Sequence, residues 1–299
     1  MKKKLPTVTV AVSAYNEEKN IGLFLKSVLS QNEIGFILKM ICIYSDGSTD
    51  RTVKIARSIN DKRIKVFVFT KREGKPHRLN QIYRKVDTDF LIQSDSDVIF
   101  AHRFVIQQII QPFIKDKKVA LVGGNRIPQK SRTLVEHIHI HGFNIWSKVR
   151  NRIKKNSIHN HHGSISALKK NLSLKLHIPE EVNGTDDYIF LMNKKLGFTF
   201  KYIPSATVFF KSPQTLKDYF KQQRRFLSAK YKMASIFGPQ VYLEYNINKK
   251  TKWPILLEEI FKKPVLTILY LILETGVRLS TSVNKYSQHR YWDIAVSTK

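Results

Sequence analysis

The segment "TVTVAVSAYNEEKNI" (residues 7–21) decides the fold class, because a strand pattern in it leads directly into a helix pattern. Its first nine residues are mostly apolar and β-branched, which is typical of a buried strand. A polar turn follows, and apolar residues from Ile21 to Val28 then recur at the spacing of one helical face. The same order of strand, polar turn and helix recurs at 38–59 and 63–86. This repetition predicts an α/β protein.

The alternation continues to the middle of the chain, with a strand expected at 89–93, a helix at 103–114 and a fifth strand at 118–124. Strands separated by helices predict a mostly parallel sheet with helices on both faces. After residue 125 the pattern loosens. There we expect a long helix at 131–153, a helix from Asp186, strands at 198–204 and 206–210, and a basic helix at 215–232.

A domain boundary is predicted near Gly238-Pro239, which separates an α/β domain (1–238) from a short helical C-terminal appendage (239–299). The appendage contains "PVLTILYLIL" (264–273), a run of ten uncharged residues. We expect this run to be too short to span a bilayer. A buried helix and a helix in the membrane interface, with basic flanks facing lipid phosphates, both fit it.

The net charge is strongly positive, since 52 Lys and Arg stand against 23 Asp and Glu, a formal +29. Such an excess predicts an anionic partner: nucleic acid, a phosphorylated substrate or an acidic membrane. The single cysteine, Cys42, excludes an internal disulfide and suits a reducing compartment. The N-terminal residues lack the long apolar stretch of a secretion signal. We therefore interpret them as the first strand and expect a cytoplasmic protein.

Three polar clusters follow predicted strands: "SAYNE" (13–17), "SDGSTD" (45–50) and "SDSD" (94–97). In open α/β sheets, ligands bind beyond the carboxyl ends of the strands. In the third cluster, Asp95 and Asp97 could share a hard divalent cation, Mg2+ or Mn2+, whose other ligands would be a substrate phosphate and waters. A solvated turn with capping aspartates is the competing interpretation.

The other two clusters suggest a nucleotide site. Tyr15 could stack on a base, and Asp46 could accept a hydrogen bond from the base edge or the ribose. Gly74 and Lys75 open a predicted helix, where backbone amides and an ammonium group could meet phosphate. The competing interpretation is an ordinary turn between a strand and a helix, which favours the same residue types.

Six motifs follow one another along residues 7–232: "VSAYNEEKNI", "YSDGSTDRT", "EGKPHRLN", "SDSD", "TDDYIFLMNKKLGFTFKYIPSATVFFKSP" and "QQRRF". Their order resembles family 2 glycosyltransferases of the GT-A fold, most closely the branch that contains cellulose, hyaluronan and poly-N-acetylglucosamine synthases. The resemblance implies a Rossmann-like mixed sheet flanked by helices, with 1–238 as the catalytic domain. It also implies metal-dependent, inverting transfer of a sugar from a nucleotide diphosphate sugar, by default a UDP-sugar, to a hydroxyl.

The resemblance assigns roles to individual residues. Asp95 and Asp97 match the metal-binding Asp-x-Asp pair, and Asp187, last in "TDD", matches the catalytic base. Gln222 and Arg225 would meet the acceptor and diphosphate, and Phe226 stands where the family has an acceptor-stacking tryptophan. The nucleotide sugar would be held by Ser13, Tyr15, Glu17, Asp46, Lys75, Asp95 and Ser96.

The proposed chemistry requires the carboxylates of Asp95, Asp97 and Asp187 to gather around one sugar, because a base must face the acceptor hydroxyl across from the leaving diphosphate. A helix N-cap pair is the competing interpretation of "TDD". For "QQRRF" the competing interpretation is a basic amphipathic helix, solvated or facing a membrane.

Two histidine groups, at 137–141 and 159–162, resemble zinc-binding sequences. No cysteine accompanies them, and the resemblance places "HHGSISALKK" (161–170) in a loop that borders the acceptor. We therefore favour acceptor contact or a plain surface position over structural zinc.

Because no adequate membrane span is expected, we predict transfer of one or a few sugars to a lipid-linked or membrane-borne saccharide. The enzyme would dock at the cytoplasmic face, on an anionic membrane surface, through residues 201–263, which carry 13 Lys and Arg against 4 Asp and Glu. A processive synthase that needs a membrane partner is an alternative.

Two alternatives lie outside active transferases. Nucleic-acid binding is suggested by charge alone, since the sequence lacks the usual recognition motifs, and we expect no nucleic-acid partner. A scaffold that has lost its activity is disfavoured by intact Asp95, Asp97 and Asp187.

Overall fold

The computed structural model describes residues 4–283 and 296–299. The strands are β1 Thr7–Ala14, β2 Ile37–Asp46, β3 Ile64–Phe69, β4 Phe90–Asp95, β5 Val98–Phe100, β6 Val119–Pro128, β7 Ile165–Lys169 and β8 Thr199–Phe210. The helices are α1 Ile21–Leu29, α2 Thr52–Ser58, α3 Lys75–Lys85, α4 Val105–Lys115, α5 Leu134–Asn151, α6 Lys170–Ser173, α7 Thr185–Lys195, α8 Leu216–Phe237, α9 Tyr242–Tyr245, α10 Lys249–Lys262 and α11 Pro264–Val283.

The eight strands form one mixed sheet in the order β3-β2-β1-β4-β7-β6-β8-β5. The first four strands of this order are parallel, whereas β7 runs antiparallel to both β4 and β6. The change of direction brings the start of β7 beside the end of β4, where Ser94 pairs with Ile165. The predicted mixed α/β sheet flanked by helices is confirmed.

Alternating side chains of β1 pack into the core on opposite faces of the sheet. Val10 and Val12 are fully buried in the cluster that includes Phe24 of α1. Ala11 is buried in the other cluster, with Leu79 of α3. Because successive residues of a strand point to opposite faces, one strand holds both helical layers in place.

The sheet register places three strand ends side by side. Ser13 of β1 pairs with Tyr44 of β2 on one side and with Asp95 of β4 on the other. Asp46 follows two residues after Tyr44. The polar clusters that end these strands therefore meet at one edge of the sheet, as the sequence predicts.

Strand β8 is a single strand, although two strands were expected at 198–204 and 206–210. Pro204 lies inside it, at an irregularity where the pairing with β6 shifts between Gly124 and Asn125. A proline cannot donate a ladder hydrogen bond, and such irregularities are where strands tolerate it. The strand therefore continues past the proline.

Helices α10 and α11 pack against α5, and α11 also contacts α8. Gly142 of α5 permits this approach, because a Cβ atom there would overlap the ring of Tyr270. His141 Nε2 lies 2.8 Å from Thr267 Oγ1 in the same interface. The boundary at Gly238-Pro239 stays a prediction, since these contacts join the two segments closely.

Helix α11 is longer than its apolar run. It continues through Glu274 and Arg278, whose side chains lie 4.0 Å apart one turn from each other. Residues Pro264–Thr281 have a mean hydropathy of 1.2, and 11% of them are buried. The run 264–273 was expected to be too short for a span, and the helix that contains it is longer, since twenty helical residues extend about 30 Å. The segment meets the requirement by length and composition only.

Candidate active site

One pocket, here called the central pocket, opens beyond the carboxyl ends of β1, β2 and β4. The empty space in and in front of it is about 930 Å³, which includes open solvent. It is lined by Ser13, Tyr15, Glu17, Asp46, Arg72, Gly74, Lys75, Asp95, Ser96, Asp97, Gln222, Arg225, Thr298 and Lys299. Ten of the twelve predicted site residues are in this set; Asp187 and Phe226 are not.

Two of the loops at the pocket are fastened to each other. Asn16, with a positive φ of 52°, accepts a hydrogen bond from the backbone of Thr49 at 2.9 Å, and its own backbone N–H donates to Ser48 Oγ at 3.1 Å. The backbone N–H of Glu17 donates to Thr52 Oγ1 at 2.7 Å. Asparagine tolerates this left-handed conformation better than most residues. The turn after β1 is therefore fixed by the turn after β2.

Asp46 holds the turn that leads into α3. Its carboxylate accepts hydrogen bonds at 2.8 Å from the backbone N–H groups of Glu73 and Gly74, and one at 2.7 Å from Arg78 Nε. Gly74 has a φ of 91°, which favours glycine. This network aims Lys75 into the central pocket.

Carboxylates crowd the floor of the pocket. Lys75 Nζ donates to Asp95 Oδ1 at 2.5 Å; burial alone would raise the pKa of Asp95, but this ammonium group holds it below its usual value. Burial, and then the charge of Asp95, raises the pKa of Asp97. Burial, and then the charge of Asp97, raises the pKa of Glu17 to about 7, although the paired Lys299 opposes the shift. Burial and mutual repulsion therefore disfavour full ionisation of Asp97 and Glu17.

This floor fits a divalent cation in part. Asp95 and Asp97 offer the oxygen ligands that Mg2+ and Mn2+ prefer, and a cation would relieve the repulsion between them. Within residues 4–283 and 296–299, no group of three or more His, Cys, Asp or Glu side chains is arranged to hold a metal. Two carboxylates alone do not complete the coordination shell of such an ion.

Helix α8 contributes Gln222 and Arg225, which lie three residues apart and face the pocket. Burial lowers the pKa of Arg225, and the nearby Asp95 and Asp186 oppose the shift. Phe226 lies outside the pocket lining and is 43% exposed, so the structure does not bring it to this site.

Asp186 and Asp187, in the first turn of α7, point in different directions. A Cβ atom on Gly163 would lie 2.7 Å from Asp186 Oδ1 and 2.9 Å from Lys75 Nζ, so Asp186 lies beside Lys75. Asp187 Oδ2 instead accepts a hydrogen bond at 2.8 Å from the hydroxyl of Tyr245 in α9. Of the three carboxylates expected around one sugar, two line the central pocket, and Asp187 lies outside its lining.

The environment of Asp187 suits proton exchange. Burial raises the pKa of Asp187 to about 7; the hydrogen bond from Tyr245 opposes this shift and the charge of Asp186 adds to it. A carboxyl group with a pKa near neutral pH can accept and release a proton under physiological conditions.

Three pocket residues were not predicted from the sequence. The guanidinium carbon of Arg72 lies 4.3 Å from the ring centroid of Tyr15. The position of Arg72 just after β3 could have predicted its place in the pocket, since β3 ends at the same edge of the sheet. Thr298 and Lys299 reach the pocket from the far end of the chain, and Thr298 O accepts a hydrogen bond from Asn20. No local pattern marks them.

The histidine groups are partly internal. Expecting a plain surface position is wrong for four of them, because His139, His141, His161 and His162 are at most 8% exposed. His161 Nδ1 lies 2.9 Å from the backbone oxygen of Asp186, which places this pair of histidines next to the site.

Comparison with known proteins identifies the family. A family model for glycosyl transferase family 2 matches residues 9–176. The chain is 26% identical over 226 residues to the poly-beta-1,6-N-acetyl-D-glucosamine synthase of Staphylococcus aureus, covering 74% of this chain and 54% of that protein. It is also 26% identical over 239 residues to a probable glycosyltransferase, YdaM, of Bacillus subtilis, covering 75% of this chain and 55% of that protein. The chain thus spans about half the length of these curated relatives.

Solved structures share the architecture. The mannosyltransferase of Pyrobaculum calidifontis, in complex with GDP-mannose and Mn2+, superposes with a TM-score of 0.63 at 17% identity, covering 99% of this chain and 86% of that one. The mannosyl-3-phosphoglycerate synthase of Rubrobacter xylanophilus gives a TM-score of 0.53 at 12% identity, covering 79% and 76%. At such identities the likeness concerns the fold. The chain therefore belongs to glycosyl transferase family 2 and has the GT-A fold.

Proposed function

We propose that this glycosyltransferase moves a sugar from a nucleotide diphosphate sugar, with inversion and with the help of a divalent cation, to a hydroxyl of a lipid-linked or membrane-borne saccharide. The observation that carries the proposal is the convergence of ten predicted residues, from five separate segments of the chain, in the central pocket. UDP as the nucleotide rests on the family resemblance alone.

The donor would lie with its base towards Tyr15 and Asp46 and its diphosphate towards Asp95 and Asp97. A cation held by these two aspartates would supply positive charge to the departing diphosphate. Lys75 and Arg225 would bind the same diphosphate through charge-assisted hydrogen bonds. A Mn2+ ion accompanies the nucleotide sugar in the Pyrobaculum calidifontis enzyme, which supports a cation here.

The proposed base is Asp187. It would take the proton of the acceptor hydroxyl while the new bond forms between that oxygen and the anomeric carbon, and the anomeric carbon–phosphate oxygen bond would break. The diphosphate would leave with the bonding electrons. Its position outside the donor pocket is consistent with a role on the acceptor side. Asp186 is the competing base, because its carboxylate lies beside Lys75.

Peripheral membrane binding at the cytoplasmic face is also proposed. Large apolar side chains are exposed along the C-terminal helices, and Phe261, at 85% exposure, lies directly before Lys262 and Lys263. The others are Leu243, Trp253, Leu257, Val265, Ile268, Ile272 and Leu279. Apolar groups rimmed by lysines suit a bilayer with anionic headgroups. The alternative function, a processive synthase that needs a membrane partner, is compatible with the length of α11.

The test is a panel of nucleotide sugars incubated with Mg2+ or Mn2+ and scored for nucleotide release. We expect one donor to be consumed in a metal-dependent manner, and Asp97→Ala to reduce the release to background. Consumption that is equal in Asp97→Ala, or absent with every donor, would refute the proposal.

A further inference from the structure

Two arginines lie side by side in the interior next to the active site. The guanidinium carbons of Arg126 and Arg150 lie 5.8 Å and 5.2 Å from the centroid of the same ring, that of Phe143. Arg150 is 5% exposed, and the Nε atoms of both arginines are buried without a hydrogen-bond partner. Within residues 4–283 and 296–299, neither arginine has a carboxylate at ion-pair distance. Two like charges, one on a buried and one on a partly exposed side chain, therefore contact the same ring without a carboxylate at ion-pair distance.

A histidine completes the cluster. Both ring nitrogens of His162 are buried without a partner, and the ring is 7% exposed. Burial, followed by the charges of Arg126 and Arg150, lowers the pKa of His162 well below its usual value. Buried polar atoms without partners are rare in folded proteins, because each forfeits its hydrogen bonds to water. Four such atoms, on Arg126, Arg150 and His162, therefore remain able to bind an anion or ordered water.

The cluster adjoins the reacting groups but not the donor pocket lining. Gly163, next to His162, lies against Asp186 and Lys75. Burial and then Arg150 lower the pKa of Arg126 to about 10, whereas Asp186 and Asp95 oppose the shift from beyond ion-pair distance. None of the three cluster residues lines the central pocket. The donor diphosphate already has Lys75 and Arg225 there.

We infer that Arg126, Arg150 and His162 form an oxyanion subsite that binds a phosphate group carried by the acceptor. Guanidinium groups bind phosphate oxygens through paired, charge-assisted hydrogen bonds, and an imidazole can donate a further one. The inference rests on the proposed transferase function and narrows its acceptor to phosphorylated saccharides or lipid-phosphate-linked saccharides. Phosphates of bilayer headgroups would instead meet Lys262 and Lys263, which are exposed.

The test is a titration of the full chain with inorganic phosphate in metal-free buffer, followed by the 31P NMR line width. Arg126→Gln and Arg150→Gln are each expected to weaken binding at least tenfold. Arg152→Gln is the matched control, because Arg152 is exposed two residues after Arg150. Lys75→Gln reports the share of phosphate that binds in the donor pocket, and the arginine variants report the share that binds at the cluster. Loss of binding in Lys75→Gln but not in Arg126→Gln would overturn the inference, and equal binding in all variants would indicate an adventitious ion only.

A second arm identifies the source of the phosphate. N-acetylglucosamine 1-phosphate is expected to displace inorganic phosphate, whereas N-acetylglucosamine is not. If N-acetylglucosamine 1-phosphate does not compete, the cluster binds only free phosphate. That result would contradict a role in binding the acceptor. Binding is measured without donor, so a failure of sugar transfer and a failure of this subsite are seen separately.

Thermal unfolding separates a binding role from a structural one. Because the two guanidinium charges lack partners, their replacement by neutral glutamine is expected to raise the Tm or leave it unchanged. A fall in Tm for both arginine variants would mark them as structural and contradict the inference.

Discussion

The hydrogen bond between Tyr245 and Asp187 provides a direct test of the proposed base. Tyr245→Phe removes the hydroxyl that donates to Asp187 Oδ2 at 2.8 Å and leaves the ring in place. A hydrogen bond to a charged group contributes about 1.5–3 kcal/mol. At about 1.4 kcal/mol per pKa unit, its loss raises the pKa of Asp187 by about 1–2 units. From a value of about 7, the pKa would therefore move upwards, towards the mildly alkaline range.

The direction of the effect on rate follows from the role of a base, which acts only when it is ionised. At pH 7 about half of the wild-type Asp187 is ionised, and after the substitution about one-tenth to one-hundredth is, so the rate falls by roughly 5- to 50-fold. Above about pH 9 the variant should recover most of the wild-type rate, because its carboxyl group then ionises again.

The measurement is the pH profile of nucleotide release between pH 5 and pH 10. Tyr242→Phe is the control, since Tyr242 lies in the same helix and contacts the ring of Tyr231 rather than a carboxylate. An acid limb that stays in place in Tyr245→Phe, or that moves equally in the control, would refute the assignment of Asp187 as the base.

Four further predictions concern Asp187, α5 and α10. Asp187→Asn should abolish transfer, whereas Asp186→Asn should retain some; the reverse order would make Asp186 the base. Burial raises the pKa of Asp187 to about 7, so the folded state favours the neutral carboxyl group and the wild type loses stability as the pH rises from about 4 to about 7. At about 1.4 kcal/mol per pKa unit over about 3 units, Asp187→Asn should gain on the order of 4 kcal/mol at pH 8 and little at pH 4 in denaturant titrations. Gly142→Ala should destabilise the chain by about 1–3 kcal/mol, because the new Cβ atom overlaps the ring of Tyr270 in α11. Weaker packing of α11 should increase its proteolysis, and an unchanged Tm would contradict the prediction. Phe261→Ser should weaken co-sedimentation with vesicles that contain anionic lipid, and equal recovery with and without such vesicles in the wild type would exclude docking.

The donor side of the site was predictable because it depends on local patterns. Ser13, Asp46 and Asp95 each end a strand that the apolar pattern identifies, and parallel strands deliver their ends to one edge. Lys75 was predictable for the same reason, since it opens the helix after β3.

The rest of the site depends on contacts that no local pattern encodes. Tyr245 reaches Asp187 across 58 residues of sequence, and Lys299 reaches Glu17 across 282. Which of Asp186 and Asp187 faces Lys75 depends on how the first turn of α7 is rotated against its neighbours. The sequence shows that turn, but its rotation is decided by packing against α8, where Ala229 lies against Gly184.

The antiparallel placement of β7 has a consequence for how such an enzyme can diversify. The parallel half of the sheet supplies the nucleotide end of the site, while β6 and the segment leading into β7 supply Arg126 and His162 from the other half. The two halves meet at a single seam, where Ser94 Oγ donates to Ser164 O at 2.7 Å. Under the proposed acceptor subsite, substitutions on the β6–β7 side of this seam change which acceptor is bound, while the residues that bind the nucleotide sugar stay unchanged.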